Sequence, residues 1–250
     1  MARPRPYRLR SSSSGAELEL SRGILLLGIQ GCGKSLAAKF VAREWKLPLL
    51  KLDAGRLYDK YIGESEKNLR RAIEMAESMA PVALWIDEIE KGLAPSASDE
   101  ADSGLSRRMF GMFVTWLQER EKPVFVVATA NDVSRLPSEL LRKRRFDEIF
   151  FVDLPTVKER ADIFRIHLRL RKQDPDALDL DRLVVATEGF SGAEIEPVVS
   201  GLYRALYRGR PLDTESLLEE IQGTKPLSVS RSEDVARLRG MAEGRFVNVR

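Results

Sequence analysis

The chain has 250 residues, of which 43% are hydrophobic and 32% are charged. A chain of this length and composition buries a sizeable core, which excludes intrinsic disorder as its main state. The 41 Lys and Arg nearly balance the 38 Asp and Glu, and a net charge of +3 does not by itself indicate nucleic-acid binding. One cysteine and one histidine exclude an internal disulfide and a multi-histidine metal site. No apolar run approaches the ~18 residues of a membrane span, so we expect a soluble cytoplasmic protein.

The first 22 residues differ from the rest of the chain. Residues 1–16 contain four arginines, two prolines, four consecutive serines and no acid. This composition is typical of an organelle transit peptide, which would place the protein in an organelle stroma. However, Pro4 and Pro6 disfavour the amphipathic helix of such a signal. We therefore expect residues 1–22 to be a disordered leader, with the transit peptide as the alternative.

From Gly23 onward, short apolar runs alternate with segments whose apolar residues recur at three- and four-residue spacing. The runs predict strands buried in a parallel sheet, and the spaced segments predict helices. The predicted strands are residues 24–27, 49–52, 82–86, 124–128 and 149–152, and the predicted helices are 35–45, 64–80 and 106–120. The fold class is therefore α/β, with a five-stranded parallel sheet in a domain of residues 23–154.

Beyond Pro155 the patterns are helical only. The predicted helices are residues 156–171, 179–187, 193–207, 213–221 and 232–243. We expect a small all-helical domain over residues 155–209 and a C-terminal helical tail over residues 210–250.

A glycine-rich segment directly after the first strand matches the phosphate-binding pattern G-x-x-x-x-G-K-[ST]. It sits between a predicted strand and a predicted helix, which is the context that the pattern requires. Its glycines let successive backbone N–H groups converge on phosphate, and its lysine neutralises the terminal phosphates. The candidate nucleotide-binding residues are Gly28, Ile29, Gln30, Gly31, Cys32, Gly33, Lys34, Ser35 and the adjoining Leu36.

Polar residues follow two of the later strands. Asp87 and Glu88 come directly after the third strand, where α/β sheets place their chemistry. We expect Asp87 and the Ser35 hydroxyl to hold Mg²⁺, and Glu88 to accept a proton from the attacking water. Asn131 follows the fourth strand, where its amide either orients that water or forms a turn.

Four basic residues stand in a row at positions 142–145. They fit a solvated face, a nucleic-acid patch, or arginine fingers offered to the nucleotide of a neighbouring subunit. Composition does not distinguish these three interpretations.

With these four elements in this order, the chain resembles the AAA family of ATPases, in the main clade of ring-forming remodelling motors. The resemblance covers about residues 23–207. It is closest to the AAA proteins encoded in chloroplast and cyanobacterial genomes, through residues 84–91, 124–131, 145–155 and the tail near 226–228 and 244–246. The resemblance implies a P-loop NTPase domain followed by a helical lid, with ATP and Mg²⁺ as cofactors. It also implies a homo-oligomeric ring, typically a hexamer, that acts on a protein substrate.

The resemblance gives roles to several residues. Asn131 falls at the family's sensor-1 position, and Arg142 and Arg145 fall at two arginine-finger positions that act across a subunit interface. His167 falls where the family has a histidine near the ribose and adenine, and Gly192 and Ala193 fall in the lid turn that approaches the nucleotide.

A pore loop is also implied by the resemblance. Tyr61, Ile62 and Gly63 match the aromatic–hydrophobic–glycine loop that grips an extended polypeptide in the centre of the ring. The alternative is that Tyr61 simply packs within its own loop.

The sequence therefore predicts Mg²⁺-dependent ATP hydrolysis coupled to remodelling of a protein substrate. Two other functions stay open. The segment before Gly23 is short and does not match the one that closes over adenine in the family, so the chain could be a truncated fragment or an ATP-binding scaffold with little turnover. The third possibility is a DNA-acting ATPase that uses residues 142–145, although the near-zero net charge disfavours a nucleic-acid partner.

Overall fold

The computed structural model describes residues 21–57, 64–93, 100–142, 145–207, 209 and 213–249. These residues form two compact units. The sheet unit comprises the described residues up to Leu27, from Lys34 to Phe151, and from Phe246 onward. The helical unit comprises Gly28–Gly33 and Val152–Arg245. Nearly all of the predicted leader lies outside the described residues.

A six-stranded sheet is the centre of the sheet unit, with the strand order β2-β3-β4-β1-β5-β6. Strand pairs β1/β4, β2/β3, β3/β4 and β5/β6 are parallel. The strands are β1 (Gly23–Gly28), β2 (Leu49–Asp53), β3 (Val82–Asp87), β4 (Val124–Ala130), β5 (Glu148–Val152) and β6 (Val247–Asn248). The predicted α/β class with a parallel sheet is confirmed.

The predicted number of strands, five, is wrong. The sixth strand is β6, whose Val247 and Asn248 pair with Phe150 and Phe151 of β5. Both β6 residues are exposed, and two residues are too short to carry an alternating pattern. This strand is defined by pairing with residues almost a hundred positions earlier, which local sequence does not encode.

Helices cover the sheet on both faces. The helices of this unit are α1 (Lys34–Trp45), α2 (Glu64–Ser78), α3 (Ile89–Leu93) and α4 (Glu100–Glu119). Under α1, Leu26, Trp85 and Phe125 form one buried cluster with Ala38. Since side chains alternate along a strand, their neighbours Leu25, Leu27, Leu84 and Ile86 face the other side, and these are also fully buried.

The helical unit contains six helices among its described residues. They are α5 (Val157–Leu170), α6 (Leu180–Ala186), α7 (Gly192–Tyr207), α8 (Thr214–Gln222), α9 (Leu227–Ser230) and α10 (Ser232–Ala242). Phe164, Leu183, Ile195, Val199 and Leu217 belong to its buried core. A capping box of Thr156 and Glu159 begins α5. In the part of the chain that the structure describes, no helix is both long and apolar enough to cross a membrane.

Candidate functional site

Two parallel strands bring the predicted catalytic acids and the predicted sensor together in the sheet unit. Strand β3 ends at Asp87, and β4 ends at Ala130, next to Asn131. The register pairs Ile86 with Ala128, so the carboxyl ends of the two strands lie side by side. The acids and the amide therefore meet at the edge of the sheet where α/β proteins bind ligands.

Asp87 is held by donors on both of its carboxylate oxygens. Its Oδ1 accepts hydrogen bonds from Ser35 Oγ at 3.0 Å and from Thr129 Oγ1 at 2.8 Å. Its Oδ2 lies 3.4 Å from the ammonium of Lys51 on the neighbouring strand β2. Burial by itself raises the pKa of Asp87, but the hydrogen bonds from Thr129 and Ser35, together with Lys51, outweigh it and hold the pKa below its usual value.

The pair Ser35–Asp87 has the donor chemistry that Mg²⁺ prefers. Both groups offer hard oxygen ligands, and their oxygens already lie 3.0 Å apart. The depressed pKa of Asp87 keeps its carboxylate ionised, as a metal ligand must be. The residues present therefore fit the predicted magnesium site.

Glu88 lies beside Asp87 in an unusual backbone conformation. Its φ of +50° is in the left-handed region, which is sparsely populated by residues other than glycine. Its N–H donates to Thr129 Oγ1 at 3.1 Å, and its Oε1 accepts from Asn131 Nδ2 at 3.0 Å. Its Oε2 lies 2.6 Å from the ammonium of Lys91. The predicted general base and the predicted sensor are thus in direct contact.

A third acid, Glu90, is buried next to the predicted sensor, Asn131. Glu90 is 5% exposed, and its Oε1 accepts the backbone N–H of Asn131 at 3.0 Å. Its Oε2 has no hydrogen-bond partner among the described residues. Burial raises the pKa of Glu90, and the Asn131 hydrogen bond opposes that rise only in part.

In the helical unit, the predicted phosphate loop and the predicted lid turn contact each other. The Ala193 N–H donates to the Gly31 carbonyl at 3.0 Å. Gly31 has a φ of +79°, and a Cβ there would lie 2.9 Å from both Ser191 Oγ and Ala193 Cβ. Gly192 has more room, since a Cβ there would lie at an ordinary contact distance of 3.4 Å from the Gly31 carbonyl and from Ile163. The close approach of the two segments therefore needs a glycine at position 31.

His167 lies on α5, one turn after Ile163. Its Nδ1 is 3.4 Å from Arg171 Nη1, and Arg171 Nη2 donates to Ser200 Oγ at 2.6 Å. Burial lowers the pKa of His167; the Glu196 carboxylate opposes this shift, and the neighbouring Arg171 adds to it. The imidazole is therefore mostly neutral at pH 7.

The remaining predicted residues are more dispersed. In the phosphate loop, Gly28 is close-packed against the Val152 carbonyl, and Ile29 is buried. Gln30 is exposed, and its carbonyl lies 3.7 Å from Cys32 Sγ. Gly33, with a φ of +88°, is exposed, Lys34 is buried, and Leu36 is 66% exposed. Arg142 is exposed, whereas Arg145 is half-buried and its Nη1 has no hydrogen-bond partner among the described residues. Tyr61, Ile62 and Gly63 lie outside the described residues.

Sequence reasoning missed four residues of this site: Lys51, Thr129, Glu90 and Lys91. Thr129 is the easiest of the four to predict from the sequence. It stands two residues before Asn131, and strand alternation places both residues on one face. Glu90 and Lys91 lie on α3, a five-residue helix that the periodicity did not reveal. Lys51 reaches Asp87 through the pairing of β2 with β3, whose register has no local signal.

Comparison with known proteins identifies the family. Residues 24–154 match the model of the ATPase family associated with various cellular activities (AAA). The chain is 46% identical over 241 residues to the uncharacterized AAA domain-containing protein ycf46 of Guillardia theta, covering 94% of this chain and 47% of that protein. It is 37% identical over 185 residues to a cell division cycle protein 48 homolog of Archaeoglobus fulgidus, covering 73% of this chain and 25% of that protein.

A solved structure shares the fold. The crystal structure of the FIGL-1 AAA domain superposes with a TM-score of 0.75 at 20% identity, covering 90% of this chain and 78% of that one. The chain spans about half the length of the curated ycf46 relatives that it matches. The motifs, the sheet order and these matches together show that the chain belongs to the AAA family of ATPases.

Proposed function

We propose that this chain hydrolyses ATP in a Mg²⁺-dependent reaction and couples the hydrolysis to remodelling of a protein substrate. The observation that carries the proposal is the cluster formed by Ser35, Asp87 and Thr129 beside the contact between Glu88 and Asn131. This cluster offers a cation site and a water-activating acid at one edge of the sheet. We also propose that residues 23–154 form the nucleotide-binding domain, 155–209 the lid and 210–250 the tail.

The residues divide the work of phosphoryl transfer. The loop of residues 28–35 binds the phosphates through its backbone N–H groups and Lys34, while Ser35 and Asp87 hold the metal. Mg²⁺, when bound there, would neutralise negative charge on the phosphates. Glu88 accepts a proton from water as the water oxygen bonds to the γ-phosphorus, and the bond from that phosphorus to the bridging oxygen breaks to release ADP. Asn131 orients Glu88 and the water.

We further propose that Arg142 and Arg145 complete the site of a neighbouring copy in a ring, typically of six subunits. An arginine supplied in trans contributes about 10³–10⁵ in rate in related phosphoryl transfers, so an isolated subunit would be nearly inactive. The exposure of Arg142 leaves its side chain available for such a role.

Protein is the substrate class that we favour. One relative, 34% identical over 211 residues, is named a proteasome-activating nucleotidase from Aeropyrum pernix. By analogy, we propose that the loop at Tyr61, Ile62 and Gly63 contacts an extended polypeptide in the pore of the ring. The cytoplasm, or an organelle stroma, is the location that we propose.

Replacement of Glu88 tests the catalytic proposal. The Glu88→Gln variant keeps the shape of the side chain but removes its capacity to take a proton from water. We expect ATP hydrolysis to fall by at least about 10²-fold while ATP binding stays within a factor of a few of wild type. Glu74→Gln, at an exposed position on α2, serves as the matched control and should keep wild-type turnover. Equal turnover in wild type and Glu88→Gln would contradict the proposal.

An ATP-binding scaffold with little turnover is the second candidate. It is favoured by one observation, that both carboxylate oxygens of Glu88 are engaged by other side chains. Nucleotide binding by wild type without any Glu88-dependent hydrolysis would support the scaffold over the ATPase.

A further inference from the structure

The two carboxylate oxygens of Glu88 accept hydrogen bonds from two different kinds of donor. Its Oε1 accepts a neutral amide donor, Asn131 Nδ2, at 3.0 Å. Its Oε2 accepts a charged donor, the ammonium of Lys91, at 2.6 Å. A charge-assisted hydrogen bond of this kind is shorter and roughly twice as strong as a neutral one. The contact with Lys91 is therefore the shorter of the two and the one that carries a charge.

The local backbone sets up this pairing. Glu88 adopts a left-handed conformation, and α3 begins at the next residue. The Lys91 N–H donates to the Glu88 carbonyl at 2.8 Å, which closes the turn between the two residues. Residues three apart in such a turn share one face, so the ammonium reaches the carboxylate without spanning any other element.

The ion pair is accessible to solvent. The side chains of Lys91 and Glu88 are 54% and 34% exposed. The hydrogen bond to Glu88 raises the pKa of Lys91, so its ammonium stays charged at neutral pH. Lys91 can therefore swing into water at low cost, because exposed ion pairs contribute little stability.

We propose that Lys91 is a positioning residue that restrains Glu88 between turnovers, and that Glu88 takes a proton from water more readily once the Lys91 ammonium has left Oε2. A general base needs an oxygen within hydrogen-bond reach of the proton that it takes. Here each oxygen already accepts one donor, Lys91 at Oε2 and Asn131 at Oε1, so a water that reaches Oε2 competes with the ammonium for it. This inference rests on the proposed function, since it assigns Lys91 a role only if Glu88 activates water.

A second lysine, Lys51, pairs with Asp87, but its surroundings differ from those of Lys91. Lys51 lies 3.4 Å from Asp87 Oδ2 and 4.3 Å from the centre of the Trp85 ring. Its ammonium thus interacts with an aromatic face as well as with the acid. Lys91 has no aromatic contact in the described part of the chain, and its only acidic partner within 4.0 Å there is Glu88. Removal of Lys91 should therefore affect Glu88 most directly, with weaker electrostatic effects on Glu90 and Asp87.

Steady-state ATP hydrolysis by the full chain tests the inference. Lys91→Met keeps much of the side-chain length but removes the charge and the donors, and Lys91→Arg restores both. We expect Lys91→Met to raise kcat about two- to fivefold, the range that an ion pair of this exposure restrains, with an unchanged KM for ATP. Lys91→Arg should return kcat to the wild-type value. Lys91→Gln, which is more polar than Met, provides a second neutral variant with the same expected gain.

A matched control comes from another exposed lysine–glutamate pair. Lys67 lies 2.9 Å from Glu64 at the same three-residue spacing, on α2. Lys67→Met removes a comparable surface ion pair outside the proposed catalytic residues, so kcat and KM should both stay at wild-type values. A gain confined to kcat in the Lys91 variants would not arise from a merely structural role, which would lower activity.

The outcomes separate the inference from the proposed function. If Glu88→Gln abolishes turnover but Lys91→Met and Lys91→Gln leave kcat unchanged or lower it, the inference is overturned and the ATPase stands. The same gain in Lys91→Arg as in Lys91→Met would also overturn it, because the charge would then be irrelevant. If neither wild type nor the Lys91 variants hydrolyse ATP faster than Glu88→Gln does, the proposed function and the inference are overturned together.

Discussion

Glu90 is an acidic residue that the fold buries beside Asn131. Its carboxyl is almost fully buried, with one oxygen bonded to the Asn131 N–H and the other without a partner among the described residues. Burial raises its pKa above the ordinary 4.5. The folded protein therefore holds the Glu90 proton more tightly than the unfolded chain does, and stability from this group is lost as pH rises through the raised pKa.

The variant Glu90→Gln tests this linkage. The amide oxygen still accepts the Asn131 N–H, but the side chain no longer titrates. Around pH 3 and below, Glu90 is protonated in both the folded and unfolded states and adds no pH dependence. As pH rises toward 8, wild type should lose stability relative to Glu90→Gln, so the difference in Tm should move in favour of the variant. A Tm difference that does not change between pH 4 and pH 8 would contradict this account.

Residue identity predicted Ser35, Asp87, Glu88 and Asn131, which the structure places in contact as two pairs, but it did not predict the residues that hydrogen-bond or pair with them. Gly31, Lys34, Asp87 and Glu88 carry signatures that are legible in a few consecutive letters. Lys51 does not, because only the register between two strands brings it to Asp87. The supporting residues therefore needed the tertiary structure.

At the scale of elements, the start of α7 is tied to α9 through one side chain. Glu194 Oε2 accepts from the Ser191 N–H and the Ser191 hydroxyl, each at 2.8 Å. Its Oε1 accepts the Leu227 N–H at 2.7 Å. Ser191 precedes the first residue of α7, so Glu194 provides half of a capping box and anchors α9 as well.

Loss of this anchor should destabilise the helical unit. We expect Glu194→Ala to lower the free energy of unfolding by about 1–2 kcal/mol, since it removes a cap and leaves the Leu227 N–H without its acceptor. Denaturant unfolding measures the change. Glu188→Ala, at an exposed position just before the same turn, should cost much less. An equal loss in the two variants would refute the anchoring role.

Most elements were predictable from hydrophobic patterns because each buries one face or both. The helix after the phosphate loop was placed within one residue, at Lys34–Trp45 instead of 35–45. The helix predicted at 106–120 begins six residues earlier, at Glu100, where the sequence is polar and offers no apolar spacing. Strand β2, predicted as buried, alternates between exposed and half-buried because it lies at the edge of the sheet.

At the scale of the whole molecule, the α/β class and the family followed from motif order, whereas the sixth strand did not. Strand β6 joins the sheet from the C-terminal end of the chain through β5. Assembly into a ring is also a property that the structure of a single chain does not show. The proposed trans role of Arg142 and Arg145 makes activity depend on neighbouring copies.

Turnover of ATP per subunit, measured against protein concentration, is the most direct test of the central claim. Wild type should show specific activity that rises with concentration as copies associate. Arg142→Ala should stay lower by about 10³-fold or more at every concentration, because the charge supplied in trans is missing. Arg43→Ala, at an exposed position in the last turn of α1, should match wild type. Specific activity that is independent of concentration and retained in Arg142→Ala would contradict hydrolysis in an assembled ring.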